Sequence, residues 1–168
     1  MRTILVDASK FDAQNILPGD WPEILAQPMQ EFWHRAAFIT EGRAKQNAPV
    51  DRGHLRDSIK ILGEVTPLGA VLGSRLEYAG PMEYGARPHW PPPGALQPWA
   101  RRHGFPAGPK GDWIVRSIIA KRGIKPRSFM RRAVVDSLND YGLELERAIE
   151  GIVRNIERYW ERINFNAT

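Results

Sequence analysis

An α+β fold, in which a small antiparallel sheet packs with a long N-terminal and a long C-terminal helix, is predicted by three observations. Apolar residues recur at helical spacing over 21–47 and again over 128–163. Between them lie two short runs rich in Ile, Val and Leu, Ser58 to Val65 and Ala70 to Leu76. A Pro-rich stretch follows those runs. With 168 residues, the chain reads as one domain, 1–168, able to bury about two thirds of the surface its unfolded form exposes.

Residues 1–20 read as an N-terminal arm or strand, with an apolar patch at Ile4 to Val6 and a turn at Pro18-Gly19-Asp20. From Trp21 to Asn47, Ile24, Leu25, Phe32, Trp33, Ala36, Ala37, Thr40 and Ala44 mark one buried helix face, with Pro28 at a kink or first turn. Ala48-Pro49 stops this helix, because proline lacks an amide donor and keeps its predecessor out of the helical region. A compact turn follows. Asp51 is expected to cap the amides after it, Gly53 to supply conformational freedom, and Leu55 and Ile59 to point inward.

Residues 56–76 form the next segment, with a hairpin over 58–76. Pro67 and Gly69 favour a turn of three to five residues. Tyr78, Tyr84 and Phe129 are read as core residues. Over 86–111 the chain is a Pro/Gly-rich loop, extended at Pro91-Pro92-Pro93, with a short helix from Ala95 to Arg102 embedded in it. A second short helix runs from Asp112, as N-cap, to Lys121, with Gly123 as its stop. The final element, 128–163, is one amphipathic helix roughly 50 Å long. Gly142 and Gly151 inside it each cost about 1 kcal/mol relative to Ala. Close approach of another backbone would justify them; tolerated imperfection is the other reading.

Charge is unevenly distributed. The chain carries a formal +5, yet residues 101–132 hold ten Lys or Arg against Asp112 alone, a local +9 that leaves −4 elsewhere. Such a segment suits nucleic acid, an acidic protein partner, or a solvated face without a partner. Cysteine is absent, which removes disulfides, thiolate catalysis and Cys-ligated zinc, and suits assembly in a reducing cytoplasm. The opening apolar stretch is too short for a signal peptide, and no run reaches the roughly 18 apolar residues of a spanning helix, so the chain is read as soluble, without a membrane partner.

Catalytic signals are weak. His34, His54, His89 and His103 lie on separate elements without metal-ligand spacing, the serines lack a nucleophile elbow, and no glycine-rich phosphate loop occurs. Asp136 and Asp140 read as a solvated helix face. No catalytic residue, metal or cofactor is expected. A small hydrolase acting through His54 with Asp51 or Asp57 is a distant alternative.

Four phrases occur in a fixed order: Asn47-Ala48-Pro49-Val50-Asp51-Arg52-Gly53-His54-Leu55-Arg56-Asp57-Ser58-Ile59, then Glu77-Tyr78-Ala79, Glu83-Tyr84-Gly85, and Lys125-Pro126-Arg127-Ser128-Phe129-Met130. Together they resemble the neck or tail-completion proteins of long-tailed bacteriophages, over about residues 30–135. Arg52 stands where that family usually has Thr or Ser, and Arg127 and Arg132 replace common prolines.

The resemblance implies a structural virion protein of the neck or tail, assembled in the bacterial host cytoplasm. Its copies would form a six-fold or twelve-fold ring that joins the connector to the tail tube. Neck protein, tail terminator and minor tail protein all remain open. Implied partners are further copies of the chain, connector or head-closure proteins, tail terminator or tube proteins, and packaged DNA. The alternative is a cytoplasmic nucleic-acid-binding protein using 101–132. Candidate interface residues are Asp51, Arg52, His54 and Arg56 in the turn; Trp90, Trp99, Arg101 and Arg102 around the Pro-rich loop; Arg116, Lys121, Arg122 and Arg131 in the basic segment; and Tyr159 with Trp160.

Overall fold

A computed structural model describes residues 21–166, with side chains from 24 to 162; the predicted N-terminal arm lies outside the described residues. The elements are α1 (Trp21–Asn47), α2 (His54–Ser58), β1 (Lys60–Ile61), β2 (Leu72–Gly73), α3 (Ala79–Tyr84), α4 (Gln97–Arg102), α5 (Pro109–Arg122), α6 (Phe129–Asp136) and α7 (Leu138–Asn166). The α+β class is as predicted: two long helices and one two-stranded antiparallel sheet. Two compact units are formed. The first contains residues 21–39, 61–71 and 138–166; the second contains 40–60 and 72–137.

In the first unit, the N-terminal part of α1 lies against α7, and Pro28 determines how. A proline inside a helix cannot donate to the carbonyl four residues earlier. The carbonyl thus released is that of Ile24, and Asn155 on α7 donates its Nδ2 to it at 2.8 Å. Gly151, one turn earlier on α7, meets the Pro28 ring so closely that an added Cβ would stand 3.2 Å from the proline Cβ. Gly151 is therefore a packing glycine. Ala36, Ala37 and Ala148 are buried along the same helices, and Arg35 bonds Glu144 at 3.2 Å.

The hairpin tip also belongs to this unit. Gln30 Nε2 donates to the Val65 carbonyl at 2.9 Å and Trp33 Nε1 to that of Pro67 at 3.2 Å. The tip is tighter than the three to five residues expected. Thr66 and Gly69 exchange backbone bonds of 3.0 and 3.1 Å, leaving only Pro67 and Leu68 between them. The Thr66 hydroxyl accepts the Leu68 amide at 3.3 Å, a local side-chain bond that closes the shorter turn.

The second unit is built on Ala44, Ala48, Leu55, Ile59, Phe129 and Ala133, surrounded by half-buried Leu72, Leu76, Ala79, Met82 and Met130. Phe129 and Ile59 are its largest fully buried side chains. Helix α1 ends at Asn47, as the Ala48-Pro49 pair requires. Leu55 and Ile59 point inward as expected. Tyr78 and Tyr84 do not: they are 46 % and 83 % exposed, because α3 turns its Met82 and Glu83 side to the core instead.

The C-terminal helix predicted as continuous is interrupted. Short α6 precedes it, and Ser137 lies between α6 and α7, its amide bonding Val134 at 3.1 Å rather than continuing the regular ladder. The Ser137 hydroxyl, fully buried, donates to the Ala133 carbonyl at 2.7 Å, a back-bonding contact that perturbs helices. Helix α5 starts at Pro109, three residues before the predicted Asp112, and ends at Gly123 as expected.

Candidate interaction surface

Two of the four ordered phrases meet in a clasp inside the second unit. Glu83 is 6 % exposed, and its carboxylate accepts the backbone amides of Met130 at 2.8 Å and Arg131 at 3.0 Å. Those are orphan donors at the start of α6, where a negative charge also opposes the positive end of the helix dipole. Main-chain bonds run alongside: Arg127 to Met82 and Ser128 to Glu83, at 2.8 and 3.1 Å. Beyond them, Ala86 and Ile124 form an isolated antiparallel bridge with bonds of 2.9 and 2.8 Å. Glu83-Tyr84-Gly85 is thus the socket for Lys125-Pro126-Arg127-Ser128-Phe129-Met130, and both phrases serve the fold.

A second buried carboxylate fixes the Pro-rich loop. Asp112, expected to cap its own helix, instead accepts the amides of Gly94 at 2.9 Å and Leu96 at 3.0 Å, and is 3 % exposed. Arg116, one turn on, donates to the Pro91 carbonyl at 2.8 Å and places its guanidinium 5.5 Å from the centre of the Trp90 ring. Arg116 is therefore an internal strut, and it presents Trp90, whose residue surface remains 58 % exposed.

The Asp51 turn is joined to α4. Asp51 pairs bidentately with Arg102, with the Nε bond at 3.0 Å, and does not cap α2. Gly53 takes that N-cap position with φ 84, the left-handed conformation its residue type allows. His103 stacks on Trp99, with ring centres 3.9 Å apart and planes 14° apart. Its Nδ1 faces the Trp99 carbonyl at 2.9 Å; a carbonyl only accepts, so Nδ1 carries the proton, and Nε2 lies 4.0 Å from the Asp51 carboxylate. Asp51, Trp99, Arg102 and His103 thus form one surface cluster.

Among the other candidates, Arg52, His54, Arg101, Lys121, Arg122 and Arg131 are exposed, and Arg56 pairs with neighbouring Asp57 at 2.9 Å. Tyr159 and Trp160, in the first unit, meet edge to face at 6.1 Å, with the Arg162 guanidinium 5.4 Å from the Tyr159 ring centre. Sequence reasoning missed Glu83 and Asp112 as buried anchors, and Trp113 as an exposed one. A carboxylate close to a helix start was the available signal for Asp112; Glu83, in the last turn of α3, carried none.

The Arg102 hydrogen bond holds the Asp51 carboxyl below the usual carboxylate range, against the opposing effect of desolvation; the charges of Arg102, His103 and Arg52 act in the same direction as the bond. A depressed folded-state pKa contributes stability that is full above the unfolded value and lost as pH falls through the folded one. Asp51→Asn is therefore expected to lower the urea midpoint by a constant amount from about pH 7 to about pH 5, and the two midpoints should draw together as the pH falls through the depressed folded-state value. Parallel urea titrations across that range check this.

Among the described residues, no group of three or more His, Asp or Glu could hold a metal ion, and no helix is long and apolar enough to cross a membrane. Residues 23–85 match a family model described as "Bacteriophage HK97-gp10, putative tail-component", named HK97-gp10_like. That span holds α1, the Asp51 turn, the hairpin and Glu83-Tyr84-Gly85, and the match supports the phage neck and tail family read from the ordered phrases. Neither a curated protein nor a solved structure matches the chain.

Proposed function

We propose that this is a bacteriophage neck or tail protein, a reading supported by its tail-component match over residues 23–85, and that it is a structural virion part at the head-to-tail junction. Six or twelve copies form a ring that joins the connector to the tail tube. The match carries the reading.

The candidate surface supports it. The clasp and the Asp112 anchor hold α4, α5 and the Pro-rich loop in one defined arrangement, so that Trp90 and Trp99 project from rigid backbone. Preorganised aromatic side chains lose little entropy on docking and are enriched at the energetic centres of interfaces. Exposed Arg101, Lys121, Arg122 and Arg131 supply charge for an acidic neighbour or for DNA passing the junction. No bond-making step is assigned to the chain.

Native mass spectrometry of the purified chain, alone and with phage tails, tests the proposal. A closed oligomer of six or twelve copies, or uptake of the chain onto tails, is the expected result. The second reading, a nucleic-acid-binding protein, rests on the same basic residues. It would be favoured by a chain that ignores tails and binds duplex DNA with an affinity falling linearly in log–log form with salt.

A further inference from the structure

Helix α7 carries an apolar seam that remains exposed. Leu138, Gly142, Leu145, Ile149 and Val153 step by three and four residues along one face, and the four with side chains are 43 % to 57 % exposed. A row of exposed carboxylates, Glu146, Glu150 and Glu157, borders the seam, Glu150 lying 3.9 Å from the Arg154 guanidinium on the same helix. Gly142 lies within it, and nothing stands within 4 Å of a Cβ built there. Its sister Gly151 is accounted for by Pro28, whereas Gly142 has no such contact among the described residues.

Helix α5 carries the opposite pattern. Lys110, Trp113, Ser117 and Lys121 share a face, and Trp113 is 60 % exposed on it. Lys110 and Lys121, exposed on that same face, place positive charge beside Trp113. Two exposed helix faces of opposite charge are therefore displayed on one chain.

We infer that the α7 seam of one copy receives the α5 face of the next copy. Trp113 packs between Leu145, Ile149 and Val153, close to the gap left by Gly142, while Lys110 and Lys121 beside it meet the acidic border of α7. The occupant is a second copy because the complementary charge and apolar surface are both on this chain. The alternative, α7 against α7 about a twofold axis, closes at two copies, and in its antiparallel form places the two acidic borders together. A contact between unlike faces leaves one of each free and extends, closing as a ring when the rotation between successive copies closes. This inference rests on the ring reading above and names the contact that builds it.

Sedimentation velocity of the full chain, with Ile149→Glu and Trp113→Glu as variants, tests it. Both positions are exposed, and an unchanged circular dichroism spectrum and melting temperature will show that each variant folds. Each variant alone is expected to dissociate, with its assembly constant weakened at least about tenfold. An equimolar mixture should form a one-to-one dimer and stop there, since each partner retains one intact face. Variants that assemble like the wild type would overturn the contact while leaving the ring intact. Self-association of Trp113→Glu with loss only in Ile149→Glu would overturn it in favour of α7 pairing with itself. A wild-type chain that stays monomeric alone and with tails would overturn the ring reading and this contact together.

Discussion

Replacing Glu83 with alanine should lower the unfolding free energy by about 2–4 kcal/mol, because two helix-terminal amides would lose a charged acceptor inside a buried site. The carboxylate is 6 % exposed and reaches Met130 and Arg131 across 47 and 48 residues of sequence. Water has little access to replace it, so the unpaired amides carry most of the cost. Glu83→Gln keeps the shape and one acceptor oxygen and should cost about half as much. Urea unfolding of the three proteins measures this. Equal midpoints for wild type and Glu83→Ala would show that the clasp contributes nothing to stability.

Alanine at Gly123 should be more damaging still. Gly123 has φ 69 and ψ −161, a region that only glycine occupies without strain, at roughly 1–3 kcal/mol for other residues. An added Cβ would also stand 2.2 Å from the Ala86 carbonyl oxygen, across the isolated bridge to Ile124. Backbone must move to admit it. Gly85, on the other strand of that bridge, has φ 77 and ψ 175, and a methyl group added there would stand 2.6 Å from the Ile124 carbonyl oxygen. Each substitution is expected to cost at least about 3 kcal/mol, strain and collision together. Thermal melts of Gly85→Ala and Gly123→Ala should therefore both shift down by more than about 6 °C. Gly104→Ala serves as the comparison: it shares a positive φ, 80, but no atom lies within 4 Å. It should shift the melt by less than either.

The long-range pattern of this fold was readable from local chemistry wherever one residue type forces one conformation. Ala48-Pro49 ended α1, Gly53 adopted the left-handed turn, and Gly123 ended α5. Helical periodicity located α1 and α7, and the order of the four phrases led to the tail family that the 23–85 match supports. What stayed hidden was pairing across sequence. Nothing local says that Asp112 serves Gly94 and Leu96 in place of its own helix, or that Asp51 faces Arg102 and leaves the α2 cap to Gly53.

The break at Ser137 was hidden for a different, local reason. Apolar spacing runs smoothly from Val134 through Leu138 to Leu145, and the Ser137 amide, bonded to Val134, shows where the ladder departs. At the candidate surface, Trp90 and Trp99 stood out by residue type. Arg116 shared the charge of the exposed basic residues but is bound to Pro91 and stacked on Trp90, so charge alone did not distinguish strut from contact.

The claim at the centre of this account is that the chain is a built-in part of the virion at the junction of head and tail. Electron microscopy of purified phage particles, labelled with gold-conjugated antibody against the full chain, tests it most directly. Gold confined to the head-to-tail junction is the predicted result. Particles that carry no gold, with the chain recovered only in the soluble lysate, would contradict it.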